Sequence, residues 1–164
     1  NYFSKLEDKH PGRLMMEVHF YDPYQFTMMN KDEGWGKMWY YWGKGNTGSD
    51  ASRNTSSKYT ENYVNTQMNK MKTAFVDNGI PVIIGEFGAS QRFAIGQDPI
   101  HDASIKAWYA AVTSYAINNG CIPYAWDINS GDGMSMIDRS SVKVSNTNMM
   151  TGVTEGVAAA KWPY

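Results

Sequence analysis

Three apolar runs with strand character lie along the chain, and each is followed by a polar stretch and then a helical pattern. The strands are predicted at residues 14–20, 81–88 and 121–126. The helices, whose apolar residues recur at spacings of three and four, are predicted at residues 60–77, 98–119 and 147–161. Strands that alternate with helices in this way form parallel sheets with right-handed crossovers, which predicts an α/β fold.

The first strand has two unlike faces, because successive side chains of a strand point to opposite sides. One face is wholly apolar and is expected to pack against helices: Leu14, Met16, Val18 and Phe20. The other face carries Met15, Glu17, His19 and Tyr21. Polar residues such as Glu17 and His19 suit the interior of a barrel that opens into a site at its top.

The second strand delivers one carboxylate to its C-terminal end. Residues 82–84 are a β-branched apolar run of the kind that is covered on both faces in a parallel sheet. Gly85 then removes a side chain beside Glu86, so that backbone or ligand can approach closely. Open α/β sheets and barrels place their chemistry at this end of the strands. Glu86 is therefore either a functional carboxylate or a solvated residue in a turn.

The third strand ends in Trp126 and Asp127, at the same edge as His19 and Glu86. A carboxylate with a histidine and an indole face beside it is typical of a sugar site. Each residue also has a structural alternative. His19 can be a core histidine, Trp126 can be packing, and Asp127 can cap a turn. Their joint arrival at the ends of parallel strands favours the functional interpretation.

Residues 22–58 form a long irregular stretch with several aromatic residues, among them Trp35, Trp39 and Trp42. A loop of this length inside one domain is usually functional or mobile.

The composition excludes several classes of partner. A net charge of -1 predicts neither a nucleic-acid nor a membrane-surface partner. No run is long enough for a membrane span, no metal-ligand spacing or phosphate loop is present, and no cofactor is expected. Cys121 is the single cysteine and is expected to be a small core residue. Because the chain begins at Asn1, a processed, truncated or fragmentary N-terminus is also expected.

The chain resembles the C-terminal part of a family-5 glycoside hydrolase of the endo-β-1,4-glucanase and xyloglucanase subfamily. The segments that carry this resemblance are residues 18–24, 35–43, 84–88, 125–127 and 137–139. The resemblance covers essentially the whole chain. It implies that residues 1–164 are a partial catalytic domain, and that the strands are the sixth, seventh and eighth of a (β/α)8 barrel.

The resemblance also implies an activity, namely retaining endo-hydrolysis of β-1,4-glucans by a bacterial enzyme that acts outside the cytoplasm. Glu86 matches the nucleophile. His19 and Tyr21 match the pair around it, and Trp126 matches a stacking tryptophan. The remaining substrate-binding positions implied by the match are Trp39, Trp42, Asp127 and Asn129.

The second catalytic residue of that family is a Glu that follows an Asn on the fourth strand, and no such pair stands in a strand here. Glu17 is expected to be a buried interior acid whose partner lies outside the chain. The alternatives are an inactive carbohydrate-binding half-barrel, or a subunit that completes a barrel with another chain or with a copy of itself.

Overall fold

The computed structural model describes residues 8–129 and 133–164. Its strands are β1 (Met16–Phe20), β2 (Val82–Phe87), β3 (Cys121–Ala125), β4 (Ile137–Asp138) and β5 (Lys143–Val144). Its α-helices are α1 (Tyr24–Thr27), α2 (Glu61–Ala74), α3 (Pro99–Asn118) and α4 (Thr147–Ala159). Short 3₁₀ turns occupy Ala51–Arg53, Ser57–Tyr59, Val76–Asn78 and Phe93–Ile95. None of the helices in the described ranges has the length and apolar character that crossing a membrane requires.

β1, β2 and β3 form one parallel sheet in chain order. The predicted α/β fold with parallel strands is therefore confirmed. The hairpin of β4 and β5, in the stretch after β3, and the short helix α1 were not predicted.

One face of the sheet packs against the helices, and the other is open. Val82, Ile84 and Phe87 are buried in a core that includes residues of α2, α3 and α4. On the opposite face, Met15, Ile122 and Tyr124 are each about half exposed. Leu14 was predicted on the packed face but lies before the start of β1 and is exposed, because the strand begins two residues later.

The helix ends are capped by side chains and by glycine. The Asp98 carboxylate accepts hydrogen bonds from the N–H groups of Ile100 and His101, and Pro99 takes the first helical position of α3. Asn146 caps α4 in the same way through the N–H of Met149. After α2 and the turn that follows it, Gly79 adopts φ 76°, the left-handed geometry that favours glycine.

α4 packs against α3 through glycine residues, although glycine has a low intrinsic helix propensity. Gly152 and Gly156 are buried, whereas Val157 and Ala158, which the apolar pattern of the helix would place inward, are exposed. A Cβ on Gly156 would lie 2.7 Å from the carbonyl oxygen of Ala110. The backbones approach too closely for a larger side chain, so the helix turns its glycine face to the core.

We expect Gly156→Ala to destabilise the protein by about 1–3 kcal/mol, because the new methyl group overpacks against the backbone of α3. Helix propensity alone predicts the opposite sign, a gain of about 0.8–1 kcal/mol. Chemical denaturation of the variant would measure the difference. Thr151→Ala, at an exposed position of the same helix, is the control and should stay within about 0.5 kcal/mol of the parent.

The long stretch between β1 and α2 is folded around a buried tryptophan. Trp42 has no exposed surface, and its indole N–H donates to the carbonyl oxygen of Tyr59 at 2.7 Å. The backbone N–H of Thr55 donates to the carbonyl oxygen of Tyr41 at 2.9 Å, which closes the segment between them. Asn54 and Gly48 exchange two hydrogen bonds inside this segment. The stretch is therefore a compact layer beside the sheet.

Candidate active site

The Glu86 carboxylate stands near the C-terminal end of β2 with two side chains of the first strand's edge against it. The Tyr21 hydroxyl donates a hydrogen bond to Glu86 Oε2 at 2.8 Å. His19 Nδ1 lies 3.3 Å from the same oxygen. A quarter of the Glu86 side-chain surface is exposed, so the group is held by protein contacts and is still open to a ligand. The structure thus brings together Glu86, His19 and Tyr21 as predicted.

Tyr21 is fixed as a hydrogen-bond donor. Burial raises the pKa of its phenol well above the ordinary value, and the hydrogen bond to the negatively charged Glu86 raises it further. The hydroxyl therefore keeps its proton across the neutral range and always presents it to the carboxylate. Its backbone is anchored too, since the Thr27 hydroxyl donates to the Tyr21 carbonyl oxygen.

Asp22, which follows Tyr21, connects the end of β1 to α2 and α3 through two hydrogen bonds. The Tyr63 hydroxyl donates to Asp22 Oδ2 at 2.7 Å, and the Trp108 indole donates to the Asp22 carbonyl oxygen at 3.1 Å. Burial and the bond to Asp22 raise the pKa of Tyr63 to about 12. These two helices therefore hold the residue that follows Tyr21.

A second set of buried contacts joins the segment after β1 to the segment after β2, and the sequence interpretation missed it. His101 Nε2 accepts from the backbone N–H of Arg92 at 2.9 Å, so the ring proton sits on Nδ1, 2.6 Å from the Tyr40 carbonyl oxygen. Burial lowers the pKa of His101 and keeps it neutral. Arg92 donates to the Phe26 carbonyl oxygen at 2.7 Å. A single histidine in a helical pattern does not predict hydrogen bonds of this kind between two loop segments.

The three tryptophans predicted to bind substrate differ in how far they are buried. Trp126 follows β3, is half-buried, and bonds through its backbone N–H to the Phe87 carbonyl oxygen at 2.9 Å. Trp39 is partly buried, with its ring 6.0 Å from that of Tyr59. The prediction for Trp42 is wrong, because its side chain is fully enclosed in the core and cannot reach a sugar.

Asp127 and Asn129 organise their own loop. The two Asp127 carboxylate oxygens accept from the backbone N–H groups of Asn129, Met136 and Ile137 at 2.7–2.9 Å. These bonds lower the pKa of Asp127 in spite of its partial burial, which acts in the opposite direction. The Asn129 side-chain oxygen accepts from the N–H of Arg139 at 2.9 Å. The Asp127 carboxylate therefore organises the turn after β3, and its contact with substrate stays a prediction. Neighbouring residues 130–132 lie outside the described ranges.

An exposed aromatic pair in the stretch after β1 was not predicted. The rings of Tyr24 and Trp35 lie 6.0 Å apart, tilted by 38°, and two-thirds of the Trp35 surface is exposed. Both residues belong to the stretch after β1, and Tyr24 is three positions from Tyr21. Spacing along an irregular loop does not tell which of its aromatic residues face solvent. In the structure Trp42 is buried, whereas Trp35 is exposed.

Across the described residues, no group of three or more His, Cys, Asp or Glu side chains is arranged to hold a metal ion. The candidate site consists of the Glu86 carboxylate and its two polar neighbours, Tyr21 and His19.

Comparison with known proteins relates this arrangement to one family. A family model described as Cellulase (glycosyl hydrolase family 5) matches residues 3–132. The solved structure of a GH5 xyloglucan-specific beta-1,4-glucanase from a ruminal metagenomic library, in complex with XXLG, aligns with a TM-score of 0.82 at 42% identity. The alignment covers 93% of this chain and 40% of that chain.

Two curated relatives agree with this match. A xyloglucan-specific endo-beta-1,4-glucanase of Bacteroides ovatus is 27% identical over 158 residues, which are 95% of this chain and 30% of that protein. Endoglucanase A of Paenibacillus barcinonensis is 27% identical over 161 residues, which are 96% of this chain and 37% of that protein. The chain thus spans about a third of the length of these two relatives.

Proposed function

Because the chain belongs to glycosyl hydrolase family 5, we propose that it supplies the nucleophile of a retaining endo-β-1,4-glucanase, and that Glu86 is this nucleophile. The observation that carries the proposal is the Glu86 carboxylate, held at the end of β2 by the Tyr21 hydroxyl at 2.8 Å and by His19 at 3.3 Å. A carboxylate held by donors, and still open to a ligand, is suited to attack on an anomeric carbon.

In the proposed reaction, a Glu86 oxygen forms a bond to the anomeric carbon while the glycosidic C–O bond breaks. A general acid gives its proton to the departing sugar oxygen. Water then attacks the glycosyl ester, loses a proton to the same group, now acting as base, and releases Glu86 as a carboxylate. Tyr21 and His19 orient the carboxylate for the first step. Trp126 offers a ring face to the sugar.

The general acid is proposed to come from outside these 164 residues. Within the described part of the chain, the side chains against the Glu86 carboxylate are those of Tyr21 and His19, and neither is a carboxylic acid. Retaining enzymes need a second carboxyl about 5–5.5 Å away. Glu17 contacts Nε2 of His19, the ring nitrogen on the side away from Glu86. It is a poor candidate because it lies two residues nearer the N-terminal end of the same strand.

We infer that β1, β2 and β3 are the sixth, seventh and eighth strands of a (β/α)8 barrel, and that residues 1–164 are part of its catalytic domain. Two features support this assignment. The strands are parallel and ordered as in the chain, and helices cover only one sheet face. In a complete barrel the open face, with Ile122 and Tyr124, becomes the packed interior.

The open sheet face also favours the second candidate function, a subunit that completes a barrel with a complementary half or with a copy of itself. In that form the chain alone binds glucan without cleaving it.

The proposed substrate is a β-1,4-linked glucan, with cellulose, mixed-linkage glucan and xyloglucan as its forms. Xyloglucan is the first to test, because two similar proteins are xyloglucan-specific beta-1,4-glucanases. We propose that the enzyme acts outside the cytoplasm, since polymeric glucans have to be cut before uptake.

The stereochemistry of hydrolysis tests the proposal. The catalytic domain that contains this chain is incubated with a soluble cello-oligosaccharide, and the products are followed by proton NMR. We expect the β-anomer of the new reducing end to form first, because two displacements at the anomeric carbon restore its configuration. If the α-anomer forms first, Glu86 does not act as a nucleophile.

We expect Trp126→Ala to raise KM for cello-oligosaccharides roughly two- to tenfold, since stacking by one aromatic ring contributes about 0.5–1.5 kcal/mol. The pH–rate profile should keep its shape, because the indole exchanges no proton near neutral pH. Trp162→Ala is the matched control, since Trp162 lies beside the N-terminal ends of the strands, next to Pro81 and Ile122. Unchanged binding with a shifted pH profile would contradict a stacking role.

A further inference from the structure

The Glu17 carboxylate lies directly on the backbone of β2. A Cβ placed on Gly85 would come within 2.1 Å of Glu17 Oε1 and 2.8 Å of Glu17 Cδ. No real side chain tolerates such distances, so Gly85 leaves the space that Glu17 occupies. The same place carries a register shift, in which Val18 pairs with Ile84 but His19 pairs with Glu86.

This register puts the imidazole of His19 between two carboxylates. Its Nε2 lies 3.5 Å from Glu17 Oε1, and its Nδ1 lies 3.3 Å from Glu86 Oε2. An ionised carboxylate only accepts hydrogen bonds. Both contacts are ion-pair contacts, so the ring attracts both carboxylates only when each of its nitrogens carries a hydrogen. Glu17 thus has a partner within this chain, and the expectation that it is buried is wrong for these residues, because more than half of its side chain is exposed.

We propose that Glu17 is a positioning residue of the active site, which acts through His19 to hold the carboxylate of Glu86. This inference rests on the proposed role of Glu86 as the nucleophile. Glu17 fixes a hydrogen on Nε2 and the plane of the ring, and the opposite edge of the ring then faces Glu86.

Glu17 acts without touching the sugar. It lies two residues before His19 on the same strand face, about 7 Å nearer the N-terminal end of the strand. It also lies over Gly85, one residue before Glu86. Removing it should therefore lower the rate of the chemical step and leave substrate binding unchanged.

The kinetic test uses the complete catalytic domain and three variants. We expect Glu17→Ala to lower kcat roughly tenfold or more with KM unchanged, because small errors in the position of a nucleophile are costly. Glu17→Gln should lose less, since its amide oxygen still accepts from Nε2–H. Glu155→Gln, an exposed acid on α4 that pairs with Lys106, is the matched control and should change neither constant. A kcat for Glu17→Ala within about twofold of the parent overturns the proposal.

A spectroscopic test separates positioning from a general loss of fold. In ¹⁵N-resolved side-chain NMR spectra of the complete domain, His19 should show hydrogen on Nε2 in the parent and lose this signal or shift it strongly in Glu17→Ala. His101, whose hydrogen is fixed on Nδ1, is the internal reference and should not change. Identical His19 signals in both proteins overturn the proposal.

A double-mutant cycle supplies a second route that does not depend on one variant. Gly85→Ala should lower kcat because its methyl group displaces the Glu17 carboxylate. In the Glu17→Ala background the same methyl meets open space, so the double variant should be no worse than Glu17→Ala alone. Strictly additive losses overturn the proposal.

The outcome for Glu17 is distinguishable from the outcome for the proposed function. If Glu86→Gln keeps full activity, the nucleophile assignment fails. If Glu86→Gln is inactive but the Glu17 variants behave like the parent, only the positioning role fails.

Discussion

Glu86→Gln is expected to lower kcat of the complete catalytic domain by on the order of 10⁴-fold or more, because the amide cannot form the covalent bond to the anomeric carbon. The fold should be retained, since glutamine has the size of glutamate and still accepts from the Tyr21 hydroxyl. Turnover of a soluble β-glucan, measured by reducing-sugar release, gives the loss. KM should change little, because Glu86 contributes attack and not substrate affinity.

Glu155→Gln is the matched control for this substitution, and thermal unfolding of both variants excludes a loss of structure. A Glu86→Gln enzyme that retains more than about a tenth of the parental kcat would contradict the nucleophile assignment.

The 164-residue chain by itself is expected to be inactive and to self-associate. The general acid contributes about 10²–10⁴-fold in rate, and no carboxylic acid among the described side chains contacts Glu86. β1 and β3 are the edges of the three-stranded sheet, and the face with Met15, Ile122 and Tyr124 is exposed. Unpaired strand edges and an apolar face both favour association.

Light scattering and a reducing-sugar assay on the purified chain measure both expectations. Ile122→Lys should weaken self-association because it charges the open sheet face, whereas Val157→Lys, on the exposed side of α4, should not. A monodisperse, folded monomer that cleaves β-glucan would contradict the expectation.

The strands and helices could be predicted because their apolar periods are regular. β1, β2 and β3, and all three long helices, lie within three residues of their predicted bounds. The apolar pattern of α4 predicts only part of its inward face: Met149 is buried, but Val157 is exposed, because a hydrophobicity pattern does not register glycine. Close backbone approach at Gly156 decided which side of the helix is buried.

The site could be predicted where a residue's place on a strand fixes its direction, as for His19, Tyr21 and Glu86. It could not be predicted in the loops, where direction depends on contacts distant in sequence. The indole N–H of the buried Trp42 donates to the carbonyl oxygen of Tyr59. The Asp127 carboxylate accepts from backbone N–H groups up to ten residues further along the chain. Neither contact leaves a periodic signal.

The most direct test of the central claim is covalent trapping of the nucleophile. The complete domain is treated with a dinitrophenyl 2-deoxy-2-fluoro-β-cellobioside, whose phenolate leaves without protonation and whose fluorine slows hydrolysis of the ester. Peptide mass spectrometry then locates the bound sugar. We predict one fluorocellobiosyl group on the peptide that contains Glu86, with release of one dinitrophenolate. A sugar ester on another residue, or turnover of the reagent with Glu86 unmodified, would contradict the account.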